Sequence, residues 1–247
     1  MATVLSGTSG ALYYKPAGTK STFTAANVTN GSNNINVGTY LNFQVNDKVS
    51  FGTGTGGTLP GGLSASTDVF IRTYAAATGI ATFASTSGGS ELALSSDGTD
   101  GTTPFTIDFA DFQSVGDCRE WSFEVTREEL DTTTIGGTLA QNAPFRTFIT
   151  GFADGSGSAT VYFTDDATTI ANRLIEDVIQ RKQAGATFKL YSDLVLSSGS
   201  PADTSSTFIE VPAVINSASF SVTPDDAQVV EISFRPTEAP TFDFDRS

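Results

Sequence analysis

The residues in this chain whose side chains could most readily take part in a reaction are acids that lie close together in the sequence. They are Asp111, Asp117, Glu120, Glu124, Glu128, Glu129 and Asp131. Two carboxylates that face each other across a cleft are what glycoside hydrolysis requires. A sugar site also favours clustered tryptophans for stacking, and the chain has one Trp. We therefore interpret these acids as a solvated face and keep an acid-pair glycosidase as a distant alternative.

Three loops resemble ligand-binding motifs but lack a required residue. The aspartates at 97, 100 and 154 lie beside glycines, yet neither segment has the acidic spacing and closing glutamate of an EF-hand. The glycine-rich residues 52–57 lack the Lys-Ser/Thr pair that follows a phosphate-binding loop, and they open no helix. We interpret the aspartate segments as ordinary Asp-Gly turns, and we predict no metal site and no cofactor.

The residue types that are missing exclude several enzyme classes. The chain has no histidine, which excludes Ser-His-Asp and Cys-His nucleophiles and His-ligated zinc. It has one cysteine, Cys118, which excludes an intramolecular disulfide and a cysteine-cluster metal site. Arg119 is adjacent, but no base partner is evident, so we interpret Cys118 as a structural thiol. We predict that the protein is not an enzyme.

The charge balance restricts the partners. The formal net charge is −14, from 13 Lys and Arg against 27 Asp and Glu, whereas proteins that grip nucleic-acid phosphates are basic. The first ten residues lack the charged start and apolar run of a secretion signal. Because no apolar stretch reaches the length of a bilayer-spanning helix, we expect no membrane partner.

Composition divides the 247 residues into two parts. Residues 21–108 are rich in Gly, Thr, Ser, Asn and Ala, whereas aromatic residues alternate with polar ones from Phe109 onwards. We predict one discontinuous domain, residues 1–20 and 109–247, that carries a small β-barrel or sandwich inserted at residues 21–108. A disordered low-complexity loop is the alternative for the insert, but its apolar residues could supply a core.

Within the insert, alternation and Gly or Pro turns predict short strands at residues 39–43, 47–51, 68–74, 80–84 and 91–94. The expected insert core consists of Phe43, Val49, Phe51, Val69, Ile71, Tyr74, Ile80, Phe83 and Leu92.

In the larger domain, the pattern predicts strands at residues 121–126, 145–152, 159–164, 187–191, 208–214, 218–223 and 228–234. We expect residues 153–158, which are rich in Gly, Ser and Asp, to turn the chain between the second and third of these strands and form a hairpin.

One amphipathic helix is predicted at about residues 167–183, capped by Asp165 or Asp166 and ended by Gly185. Its apolar face carries Ile170, Leu174 and Val178. The opposite face carries Asn172, Arg173, Glu176, Asp177, Gln180 and Arg181. We expect the helix to cover a sheet, with a core formed by Trp121, Phe123, Val125, Ile170, Leu174, Val178, Phe220 and Ile232.

The alternating strands indicate a sheet that is buried on one face and wet on the other. The polar face includes Glu124, Thr126, Ser219, Ser221, Glu231 and Ser233. Small polar and acidic side chains suit the wall of a water-filled channel, because carboxylates repel phosphates and would let DNA pass without sticking.

Three segments resemble the major tail tube proteins of tailed bacteriophages. They are WSFEVTREELDTTTIGG from Trp121, PFRTFITG from Pro144 with GSGSATVYF after it, and VINSASFSV from Val214 followed by AQVVEISF. The motifs are loose patterns, and their order around the helix is more specific than any one of them. The resemblance covers residues 1–20 and 109–247.

That resemblance implies a mainly β fold, a sandwich or open barrel with one flanking α-helix. It also implies six protomers in a ring, and rings stacked into a virion tube through which genomic DNA is ejected. The six polar residues above would line the lumen. A long loop at residues 128–146 would contact the next ring through Glu128, Glu129, Asp131, Gly136, Gly137, Asn142 and Arg146. The implied partners are further copies of the chain, adjacent tail components and the tape measure protein, after synthesis in the host cytoplasm.

The insert resembles a small β module that recurs in phage virion proteins, on the residues 57–65 and 69–73. Placed outside the tube, it would leave little room for a contractile sheath, which favours a siphovirus-like tail. The rival interpretations are a tail terminator or other tube component, including that of a contractile machine, and a carbohydrate-binding adhesin or decoration module built on the insert.

Overall fold

The chain is mainly β. The computed structural model describes residues 9–16, 20–65, 67–110, 112–132, 148–162, 171–179, 186–197, 200–222 and 227–244. Its elements are β1 (Ala11–Lys15), β2 (Ser21–Phe23), β3 (Val28–Thr29), β4 (Asn34–Asn36), β5 (Lys48–Gly52), β6 (Val69–Ala75), β7 (Ile80–Ala84), β8 (Phe105–Phe109), β9 (Gln113–Ser114), β10 (Cys118–Asp131), β11 (Phe148–Tyr162), α1 (Ala171–Ile179), β12 (Thr187–Asp193), β13 (Leu196–Ser197), β14 (Ser200–Pro201), β15 (Thr207–Ser221), β16 (Val229–Pro236) and β17 (Thr241–Asp243). No helix within these ranges is long and apolar enough to cross a membrane.

The larger sheet has the antiparallel order β10-β11-β16-β15-β12-β1-β9, with β17 also paired to β15. β15 belongs to two parts of this sheet. Its first half pairs with β12 and β17, and its second half pairs with β16 across an irregularity between Ile215 and Ser217. At that bend the sheet folds over its own apolar face.

A single hydrophobic core fills the fold-over. The ring of Phe188 on β12 stacks on that of Phe234 on β16, with centroids 4.5 Å apart, so the two parts of the sheet face each other. Leu174 of α1 is fully buried in the same core, and α1 packs against β15. This arrangement confirms the prediction of a mainly β sandwich with a flanking helix. The expected helix caps and Ile170 lie outside the described residues.

Residues 21–109 form a second sheet, in the order β2-β8-β5-β6-β7-β4-β3. Its own core contains packed rings such as Phe23, Phe51 and Phe105. Most of the expected core residues are buried in it, and Tyr74 and Leu92 pack against it. This ordered sheet favours a folded β module over the disordered alternative.

Some strand predictions for this second sheet are wrong. Ile80 is 37% exposed because it begins β7 directly after a turn. Residues 39–40 form a turn, in which Tyr40 has a φ of 55°, instead of part of a strand. The predicted strand at residues 91–94 is reduced to a bridge between Glu91 and Ala84.

The predicted hairpin at residues 145–164 is also wrong. β11 runs unbroken through the glycine-rich segment, because β10 pairs with it on one side and β16 on the other. Two further predicted strands, residues 208–214 and 218–223, are likewise joined in the single strand β15.

The core prediction fails at the far end of the sheet. Trp121 and Phe123 pack against the core, but Val125 and Phe220 are 51% and 46% exposed. The covering layer of β1, β12 and α1 does not extend over these two side chains, so the apolar face continues beyond the core.

Candidate functional site

Four strands, β10, β11, β16 and β15, carry the polar face predicted from the sequence. Residues opposite each other in antiparallel strands project to the same side. Ser122 pairs with Ser158, Ser158 with Ser233, and Ser233 with Ser217. The hydroxyls of Ser122 and Ser158 are 2.9 Å apart, in hydrogen-bond contact. We call these four residues the serine row.

A second row lies beside the first. Glu120 pairs with Thr160, Thr160 with Glu231, and Glu231 with Ser219. The Thr160 hydroxyl donates to Oε1 of Glu120 at 3.5 Å. We call these four residues the glutamate row. Strand alternation then places all six predicted polar residues on this one face: Glu124, Thr126, Ser219, Ser221, Glu231 and Ser233.

The opposite face of the same strands is apolar. Trp121, Ala159, Ile232 and Ala218 occupy successive strands in register. Ala159 and Ile232 are each 2% exposed, and the indole Nε1 of Trp121 donates to the carbonyl oxygen of Tyr191 at 3.1 Å. Burial of this face against β12 leaves the polar face directed away from the core.

The polar face is acidic on balance. Strand alternation places four acids on this face, namely Glu120, Glu124, Asp154 and Glu231. Among the bases on the described strands, alternation places Arg235 on the same face. A surface with this balance repels phosphate groups that approach it closely.

The four-stranded part ends at two strands that have one partner each. Among the strands that the structure describes, β10 pairs with β11 alone, and residues 213–221 of β15 pair with β16 alone. Such edges invite pairing with strands of another chain unless something covers or charges them.

The residues predicted for contacts between rings are divided by the structure. Glu128, Glu129 and Asp131 are exposed on the far end of β10, where Glu129 pairs with Thr150 and Asp131 with Phe148. They therefore belong to a long β hairpin instead of a loop. Gly136, Gly137, Asn142 and Arg146 lie outside the described residues.

The catalytic alternatives gain no support from the geometry. The acids at 120 and 124 lie on one strand, on a sheet face lined by serines. Burial raises the pKa of the Cys118 thiol to about 11, which keeps it protonated and unreactive at neutral pH. In the described part of the chain, no three His, Cys, Asp or Glu side chains are grouped as metal ligands.

Cavities in the described part of the chain lie outside the serine and glutamate rows. One, of about 450 Å³, is lined by apolar groups that include Val125, Pro236, Pro240 and Phe242. Another, of about 240 Å³, lies on the second sheet beside Phe70 and Arg72, where the Arg72 guanidinium donates to the carbonyl of Gly89. This second cavity lies within the insert on which the carbohydrate-binding alternative was based.

Sequence reasoning missed a buried charge cluster. It assigned Arg173 and Asp177 to the face of the helix away from the sheet, but they are 3% and 0% exposed. Nη1 of Arg173 lies 3.4 Å from Oδ2 of Asp47, and its Nε lies 3.2 Å from Oδ1 of Asp177. The four-residue spacing of Arg173 and Asp177 was the available clue, since it predicts a pair on one helix face.

Comparison with known proteins gives partial structural neighbours. No family model matches the chain, and no curated protein matches it. A solved structure described as the tail of an empty gene transfer agent particle, with C6 symmetry, is 16% identical at a TM-score of 0.39, and the match covers 54% of this chain and 87% of that one. The virion of a native gene transfer agent particle matches at the same TM-score and identity, over 53% of this chain and 88% of the other.

Proposed function

We propose that this chain is a structural subunit of a phage-like tail tube. In this proposal six copies close into a ring, rings stack into a tube, and genomic DNA passes through the lumen. The chain performs no catalysis. Its contacts are with its own copies, with adjacent tail components and with a tape measure protein that occupies the lumen during assembly.

The observation that carries the proposal is the serine row. Four small hydroxyl side chains cross four strands in register, on the face opposite a buried apolar layer. A channel wall favours short side chains, because long ones would narrow the bore, and the serine row meets this condition across all four strands.

The glutamate row would supply the electrostatic repulsion between the channel wall and DNA. Glu120 and Glu231 are two strands apart on the same wall, and ring closure would repeat them around the bore. Repeated carboxylates would keep phosphates away from the wall, so that DNA slides instead of binding.

Ring closure would use the two ends of the four-stranded part. β10 of one copy would meet the second half of β15 of the next copy, which continues the sheet and removes both edges. The acidic end of the β10–β11 hairpin, with the segment that follows it, would then contact the next ring.

The second sheet would stand on the outside of this tube. We propose that residues 21–108 are an inserted decoration domain, and that its bulk favours a tail without a contractile sheath. A terminator or another tube component would use the same fold in few copies, so the copy number per particle separates these roles.

Negative-stain electron microscopy of the concentrated, purified chain tests the proposal. We expect six-fold rings or tubes with a central hole. Monomers from the unmodified chain at every concentration, together with few copies per particle in the virion, would contradict the proposal.

A further inference from the structure

The larger domain makes a contact with the second sheet and its loops, residues 21–109, that the tube mechanism does not use. We call residues 21–109 the second module. The chain passes between them twice, once between β1 and β2 and once between β8 and β9. A buried polar cluster bridges the sheets as well. Its centre is Arg173, whose side chain is 3% exposed.

Arg173 contacts three points of the second module. Nη1 lies 3.4 Å from Oδ2 of Asp47, and Nη2 donates to the carbonyl oxygen of Asn42 at 2.6 Å. The guanidinium carbon lies 5.8 Å from the ring centroid of Phe109, where β8 ends. A planar guanidinium can serve these partners together, because its donors are fixed in one fork.

The same side chain is tied to the larger domain. Its Nε lies 3.2 Å from Oδ1 of Asp177, one helical turn along α1. The other oxygen of Asp177 accepts a hydrogen bond of 2.6 Å from the hydroxyl of Tyr14 on β1. Tyr14 is fully buried, and its ring lies 4.7 Å from that of Phe188.

The module's side of the contact is equally well anchored. The backbone N–H of Gln44 donates to Oδ2 of Asp47 at 2.7 Å, and the carbonyl oxygen of Asp47 accepts from the N–H of Ile71 on β6. The ring of Phe43 packs edge-on against Phe109 at 5.2 Å. Arg173 therefore reaches into a part of the module that is itself fixed to its sheet.

We propose that Arg173 is a positioning residue that locks the second module at one orientation on the larger domain. The lock requires the ion pair with Asp47, since this is the contact with a charge on each side of the boundary. Without it, the module stays folded but is no longer held at one orientation. With the ion pair in place, the second module would project from an assembled particle at a fixed orientation.

Asp47→Asn tests the ion pair with Arg173 most directly. It removes the charge across the boundary and leaves Arg173 paired with Asp177. Asp68→Asn is the matched control, because Asp68 pairs with Lys48 at 3.0 Å within the module, at side chains about one-third exposed. A triple variant, Arg173→Met with Asp47→Asn and Asp177→Asn, removes all three charges together and leaves none unpaired.

The measurement is a distance distribution between two spin labels in the full chain, at Ser96→Cys and Ser156→Cys, with Cys118 replaced by Ser. We expect one narrow distribution for the unmodified chain and for Asp68→Asn. We expect a distribution at least twofold broader for Asp47→Asn and for the triple variant, with trypsin cleavage after Lys20 several-fold faster. Narrow distributions and unchanged cleavage in both variants would overturn the lock.

Discussion

The ring of Phe234 on β16 lies directly over the backbone of Gly157 on β11. A Cβ atom placed on Gly157 would stand 2.2 Å from Cζ of that ring, closer than any real contact allows. The glycine therefore makes room for the largest side chain of the neighbouring strand, which in turn stacks on Phe188 across the core. Packing, and not a turn, explains this glycine.

Gly157→Ala should destabilise the protein by about 1–3 kcal/mol, because the added methyl group overpacks a filled core. Urea unfolding followed by tryptophan fluorescence measures the loss. Gly31→Ala is the control, since a Cβ there meets nothing within 4 Å, and we expect its stability to stay the same or rise slightly. Equal effects of the two substitutions would contradict the packing role.

The same glycine explains why sequence reasoning failed at β11. Gly, Ser and Asp in succession are typical of turns, and nothing local distinguishes a turn from a strand that needs small residues for its neighbours. The information lies in Phe234, far away in sequence. The alternating strands around Trp121 and Ile232 were predictable, because period-two alternation is a local property.

The polar face and the buried cluster show the same difference between local sequence patterns and contacts with residues far away in the sequence. Alternation predicted Ser233 of the serine row, whereas Ser158 was assigned to a turn and Ser217 lay between two predicted strands. The lock around Arg173 needs a partner at Asp47, more than a hundred positions away. Helical periodicity alone assigns an arginine to solvent, since it carries no information about an acid on another sheet.

Removing the hydroxyl of Tyr14 should weaken the larger domain. Tyr14→Phe keeps the ring contact with Phe188 but deletes the hydrogen bond to the buried Asp177 carboxylate. We expect a loss of about 1.5–3 kcal/mol in the free energy of unfolding, as for hydrogen bonds to charged groups. Tyr13→Phe, on the neighbouring residue of β1, should cost much less. A Tyr14→Phe variant as stable as Tyr13→Phe would count against the buried bond.

Acid should selectively weaken the loop that holds Asp203. Burial raises the pKa of Asp203, but hydrogen bonds from Lys189 and Tyr191 and the Lys189 charge outweigh it and leave the pKa below 3.8. A lowered pKa contributes stability above pH 3.8 that is lost as the pH falls through the folded value.

Asp203→Asn should therefore reduce the urea midpoint at pH 6 and have a smaller effect at pH 3. Denaturation of the variant and the unmodified chain at both pH values measures the difference. A gap for Asp203→Asn that widens towards pH 3 would refute the assigned direction.

Reversing a charge on the polar face should slow DNA release without preventing assembly. Glu231→Lys places a cation beside Thr160 and Ser219, where phosphates would pass. The rate of DNA ejection from particles should fall, and the effect should shrink as salt is added. Glu91→Lys, on the second module, makes the same change elsewhere and should eject at the normal rate. Equal rates for the two variants would refute the channel electrostatics.

Shortening the segment between β10 and β11 should separate ring formation from stacking. Replacement of residues 133–147 by a short Asn-Gly turn leaves the hairpin register from Asp131 and Phe148 backwards available. We expect rings without long tubes, counted in electron micrographs. Tubes of normal length would show that this segment does not bridge rings.

The central claim is that the serine row faces the lumen of a six-membered ring. The most direct measurement places a gold-cluster label on Ser233→Cys, in a chain with Cys118 replaced by Ser, and images the assembled particles after six-fold averaging. If the serine row lines the lumen, we expect label density on the axis, inside the wall. Density on the outer surface, or assemblies without six-fold symmetry, would contradict it.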